Sequence, residues 1–176
     1  MNRYAVAVAL LLSSMSAAAQ FSQAHLSDGK KSLFITEASG DTFNAPLLED
    51  QVAFSRPSIA KNGKFVGWLA EYNLESGFAC PFPGRLVVID QSRKLRVFGP
   101  DAPVAVFSWC FSKDVTAVAF MFGSLHFAHY YGMELRRIKD GKRLATHNYD
   151  ESNEEIRQAN EHLPDWAKCL VDTSFQ

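Results

Sequence analysis

What this chain has little of narrows its class before any motif is found. The apolar stretch at its start, residues 4–12 (YAVAVALLL), is nine residues long, too short for a bilayer span that needs about 20. Charge of one sign is missing: 18 Lys and Arg stand against 19 Asp and Glu, so no broad attraction to nucleic acid or anionic lipid arises. Cysteine is scarce, with three in 176 residues. There is no G-x-S-x-G elbow and no Gly-rich phosphate loop, and no pair of carboxylates stands out at loop positions, so the usual marks of acyl transfer, nucleotide chemistry and acid–base hydrolysis are missing. We therefore expect no catalytic residue and no cofactor, and an enzyme of unknown class is the third choice of function.

The opening residues carry one charge, Arg3, then the apolar stretch, then the small residues SSMSAAA at 13–19. That order reads as a cleavable secretory signal with Ala17 and Ala19 before the cut, so residues 20–176 are expected in the periplasm or outside the cell, with no membrane insertion after cleavage. The residue directly after the cut is Gln20 and not Cys, which argues against a lipid anchor. Removing 19 of 176 residues leaves 157, with 17 cations against 19 acids and a net charge of about −2. That length suits one domain able to bury its own core.

An exported protein matures where disulfides persist, and three cysteines allow one pair in three ways. Cys80 with Cys110 is the expected pair because Cys169 sits in a separate C-terminal segment; the alternative is three small buried thiols.

Runs of β-branched and aromatic residues bounded by Gly, Pro, Asn and Asp predict strands at 32–37, 65–72, 86–90, 95–98, 104–111, 116–122, 133–139 and 144–147. Segments 65–72 and 116–122 are apolar on both faces, as strands sandwiched between layers are. Segment 133–139 (MELRRIK) mixes charge into its pattern, as an edge strand would. After Asp150 the period changes: Ser152 and Glu155 form a capping box and Ile156, Ala159 and Leu163 recur at helical spacing, so a closing helix is expected at about 152–169, with Trp166 and Leu170 docking on the sheet.

The middle of the chain matches itself. Ile59-Ala60-Lys61-Asn62-Gly63 with Val66 and Trp68 aligns with Phe111-Ser112-Lys113-Asp114-Val115 with Val118 and Phe120 at an offset of 52, and Leu86, Ile89 and Leu95 align with Leu135, Ile138 and Leu144 at an offset of 49. Four strands in about fifty residues is the construction of a propeller blade. The stretch Pro57-Ser58-Ile59-Ala60-Lys61-Asn62-Gly63-Lys64-Phe65-Val66-Gly67-Trp68, the stretch Trp109 to Asp114 with Val118-Ala119-Phe120, and Glu134 to Lys142 resemble the WD-like and TolB-like β-propeller repeats of bacterial exported proteins. The resemblance covers about 51–148. It departs at Val115, where those repeats carry Gly, and at Lys61 and Lys113, where they often carry Pro. Asn62-Gly63 and Asp140-Gly141 suit turns that need positive φ. The expected fold is all-β: two to two-and-a-half blade-like antiparallel four-stranded units, about 51–99 and 100–148 with a partial one near 28–37, arranged as a partial propeller or a two-sheet sandwich.

Two loops occupy the same place in the two units, 73–84 (NLESGFACPFPG) and 123–132 (GSLHFAHYYG), both aromatic-rich among Gly and Pro. Aromatics on loops held by a rigid scaffold are common anchors for a protein partner. The candidate contact residues are Phe78, Phe82, Ser124, His126, His129, Tyr130 and Tyr131. The alternative is that these rings fold inward to plug the gap left by missing blades. His126 and His129 are three apart, on opposite faces of a strand, with no third ligand beside them, so no metal site is expected. The leading reading is a non-catalytic module that binds another protein; the named alternative is an inhibitor or immunity protein blocking a secreted hydrolase or toxin, and a homodimer stays open.

Overall fold

A computed structural model of the chain describes residues 20–73, 81–100, 104–124, 130–150 and 162–172. The expected signal at residues 1–19, the expected capping box at Ser152 and Glu155, Phe78, Cys80, His126 and His129 lie outside them. The fold is all-β, in three antiparallel sheets. Strands β1 (Phe21–Leu26), β2 (Leu33–Glu37) and β3 (Thr42–Asn44) form a three-stranded N-terminal sheet. Strands β4 (Gln51–Ile59), β5 (Phe65–Tyr72), β6 (Phe82–Asp90) and β7 (Leu95–Phe98) form a four-stranded meander in chain order, and β8 (Ala105–Phe111), β9 (Ala117–Gly123), β10 (Tyr130–Arg137) and β11 (Arg143–Asp150) form a second. A five-residue helix, α1 (Lys168–Asp172), follows. Among the described residues no helix is long and apolar enough to cross a membrane.

The period-2 alternation of each central strand feeds two different cores. From β5 and β6, Val66, Trp68, Ala70, Val87 and Ile89 join Leu33 and Ile35 of the N-terminal sheet. Leu69, Leu86 and Val88 face the other way and join Val106, Trp109, Val118 and Phe120 of the second meander. The opposite face of that meander, through Ala119 and Met133, packs on Leu163, Ala167 and Leu170 of the C-terminal segment. The molecule is thus a stack of N-terminal sheet, first meander, second meander and C-terminal cover. Apolar residues on both faces of 65–72 and 116–122 follow from that stacking, as expected.

The internal match reappears in the backbone. Gly63 N donates to Ala60 O and Ala60 N to Phe65 O, at 2.8 and 2.9 Å; Val115 N donates to Ser112 O and Ser112 N to Ala117 O, both at 2.9 Å. Lys64 N is held by Asn62 Oδ1 as Thr116 N is by Asp114 Oδ1. Both turns need a left-handed residue at the same step, Gly63 at φ 67° and Val115 at φ 58°. The second is a β-branched side chain in a region that disfavours it.

Trp109 locks the meanders together. Its ring lies against Gly67 in the middle of β5, where a Cβ would collide with the indole. Its Nε1 donates to Arg56 O at 3.0 Å. That carbonyl is presented by an irregularity in β4 between Ser55 and Ser58, with Arg56 at φ 48°. Pro57 is tolerated there because β4 is the outermost strand of its sheet.

Three expectations need correction. Segment 133–139 is not an edge: β10 lies between β9 and β11. Its buried Glu134 is matched by Arg136 at 2.6 Å and Arg143 at 3.3 Å, so the charge is paired inside the stack instead of guarding an edge. The helix does not fill the described part of 152–169: residues 162–167 form turns around Pro164, and α1 begins at Lys168. Finally, Cys110 is bonded to Cys169, with Cα atoms 6.3 Å apart, and not to Cys80. Cys110 turns toward the cover that carries Leu170, so the segment that looks separate in sequence returns over β8. Leu170 docks as expected, with Trp166 packed at its margin.

Candidate protein-binding end

The polar turns of the two meanders sit side by side. Arg96 Nε donates to Lys139 O at 3.3 Å, and the rings of Phe65 and Phe111 are 6.5 Å apart. Strands β5 and β9 both start at that end, so the β5–β6 and β9–β10 connections leave together from the other end of the stack. The expected contact residues lie in these two connections or at the strand ends beside them.

What is described of this end is built from rings laid over glycines. Tyr72, the last residue of β5, pairs with Phe82, the first of β6, at 6.3 Å between ring centroids. A Cβ at Gly84 would come within 2.9 Å of the Tyr72 ring. Burial lifts the Tyr72 phenol above its ordinary value, with Arg85 opposing and Asp50 adding to the rise. Arg85 is fixed by donation to Pro100 O at 2.6 Å. In the second meander the Phe122 ring covers Gly132 of the facing strand, leaving no room for a Cβ. Phe122 in turn lies 6.0 Å from Phe120, so the floor beneath the second connection continues into the core. Glycine opposite an aromatic lets the ring lie flat across the sheet, a recurrent stabilising pair.

The structure places the candidates unequally. Phe82 is half-buried and belongs to β6, not to the loop, packed beside Tyr72. Ser124 is half-buried just after β9. Tyr130 and Tyr131 also belong to a strand: they pair through the backbone with Asp150 and Tyr149 at the start of β10. Phe78, His126 and His129 fall in the undescribed centres of the two connections. Tyr72 and Gly84 belong to the same end and were not singled out from the sequence, although Tyr72 directly precedes the loop and Pro83-Gly84 marks a break in strand pairing, the irregularity between Ala70 and Glu71. Among the described residues no three His, Cys, Asp or Glu side chains come together as a metal cluster. No protein-family model matches the chain, and no curated protein matches it.

Proposed function

We propose that this protein is a non-catalytic exported module that holds another protein at the end of the stack from which the β5–β6 and β9–β10 connections leave. One observation carries the reading: two connections, equivalent in the two meanders and flanked by aromatic residues at their strand ends, leave from the same end of a stacked-sheet scaffold, over ring-on-glycine contacts. A rigid base beneath aromatic loops lowers the ordering cost of recognition. Export rests on the signal-like residues 1–19. We read the two meanders as blade-like units of the WD-like and TolB-like kind; the chain-order meanders and the matched turns at Gly63 and Val115 support that reading.

Affinity capture from the producing cell's periplasm and culture fluid, followed by mass spectrometry, tests the function. One stoichiometric partner is expected, lost when Phe82→Ala and His126→Ala are combined. If that partner is a hydrolase that loses activity on binding, the module is an inhibitor. An empty eluate together with a self-associated species on sizing contradicts partner binding and points to pairing of the protein with itself.

A further inference from the structure

The opposite end of the stack holds a cleft of about 620 Å³ between the turns of the two meanders, within the usual size of a small-ligand site. Its apolar lining includes Phe65 from the first meander and Val115 and Ile138 from the second. Its charged lining is one-sided, with Lys64, Arg96, Arg137 and Lys139 against Asp90 alone.

Most of these charges are already engaged. Asp90 accepts from Arg96 at 2.9 Å and from the backbone of Ser92 and Lys94, both at 3.0 Å. Arg137 pairs with Asp140 at 3.1 Å. The ammonium groups of Lys64 and Lys139 have no ion pair among the described residues. Gln91, between Asp90 and Ser92, has its amide nitrogen Nε2 enclosed with no hydrogen-bond partner. An enclosed donor without an acceptor is costly and rare. Two unmatched cations and one unmatched donor line a cleft with an apolar floor, and the missing complement is an acceptor carrying negative charge on an apolar body.

Val115 adds an independent observation. It holds φ 58° where the equivalent turn uses Gly63, and its side chain is buried in the cleft wall. A β-branched residue kept in a left-handed conformation, where the sister turn shows that glycine serves the backbone equally well, points to a use for its side chain.

We propose that this cleft binds a small amphiphilic carboxylate, its apolar body on Phe65, Val115 and Ile138 and its carboxylate meeting Lys64 and Lys139, with the Gln91 side chain turning outward to donate its unmatched Nε2. The test is titration of 4-phenylbutyrate into the ¹⁵N-labelled protein at neutral pH, followed by NMR. Saturable shifts are expected at the Gln91 side-chain amide, Val115 and Ile138. The neutral analogue 4-phenylbutanamide is expected to bind about tenfold more weakly, because a charge-assisted contact is lost. Inorganic phosphate, without an apolar body, is expected to give no saturable shift at Ile138. The exposed pair Lys64→Gln and Lys139→Gln should weaken binding by about tenfold or more, with a thermal melt confirming that the fold is intact. No saturable shift at millimolar 4-phenylbutyrate, equal binding of the amide, or unchanged binding by the double variant would each overturn the assignment.

Discussion

The first meander is covered on both faces by other strands, through Trp68 and Ile89 on one side and Leu69 and Val88 on the other. Among the described residues the second has strands on one face only and closes the other with Leu163, Ala167 and Leu170 from the C-terminal segment. The two covers are of different kinds. A three-stranded sheet brings its own hydrogen-bonded ladder, whereas a five-residue helix is far too short to be stable alone. The weaker cover is the one that carries the covalent tie, Cys110 to Cys169. Among the described residues each end of the stack is finished by a different segment, the N-terminal sheet by packing with the Phe21 N–Gly63 O hydrogen bond and the Arg93–Glu37 pair, the C-terminal segment by packing with a disulfide.

The most damaging change should fall in the face sealed without a covalent tie. Trp68→Ala, at a fully buried indole beside Phe54, is expected to cost about 3–5 kcal/mol, measured by urea denaturation. At the other end, Cys110→Ser with Cys169→Ser opens a loop spanning 59 residues and should cost about 2–4 kcal/mol. Hydrogen exchange sharpens the contrast: protection should fall first at α1 and the outer face of β9 in the cysteine variant, and throughout β5 in the tryptophan variant. Equal loss everywhere would show that the two ends are not separately sealed.

Between the meanders, Gly67→Ala should cost about 1–3 kcal/mol by overpacking, since its methyl meets Trp109. The same denaturation curves report it, with a shift of Trp fluorescence. The equivalent turns make a subtler pair. Gly63→Val should destabilise by about 2 kcal/mol, combining left-handed backbone cost with a Cβ 3.1 Å from Gln20. Val115→Gly should stay within about 1 kcal/mol of the parent, because relief of backbone strain offsets the lost side-chain burial.

The smallest effect concerns acid. Hydrogen bonds from the Ser112 and Thr116 hydroxyls and the Thr116 amide hold the Asp114 carboxyl at about 2, below its ordinary 3.8. A lowered carboxyl stabilises the fold above its ordinary value and loses that contribution as pH falls from about 4 through about 2. The sister turn has Asn62, which does not titrate. Asp114→Asn should therefore flatten the acid limb of stability against pH, read as denaturation midpoints, by lowering the neutral plateau slightly while changing stability below about pH 2 less. An acid limb of unchanged steepness would remove Asp114 from the account.

How much was legible followed from how local the cause was. Segment 65–72 matches β5 end to end because a long apolar run lies between the Asn62-Gly63 turn and Asn73. The turn at Gly63 was read from its residues, and the repeat carried the same turn to Val115 despite the wrong residue type. β1 (FSQAHL) and the three-residue β3 were not expected, since their short, half-polar stretches become strands only by pairing with β2. The place of β10 was misread because Glu134 looks the same in sequence whether it faces water or two arginines. The Cys110–Cys169 pairing depends on a chain reversal that no spacing encodes. At the candidate site, composition pointed to the two connections, but the assignment of Phe82, Tyr130 and Tyr131 to strands, and the ring-over-glycine base, required three dimensions.

The central claim is that the partner is held at the loop end. A photo-crosslinking residue placed at Phe82, and separately at Lys94 near the opposite end, tests it most directly in the producing cell. The account expects one discrete crosslinked protein from position 82 and none from position 94. The same species from both positions, or a species from position 94 alone, would contradict it.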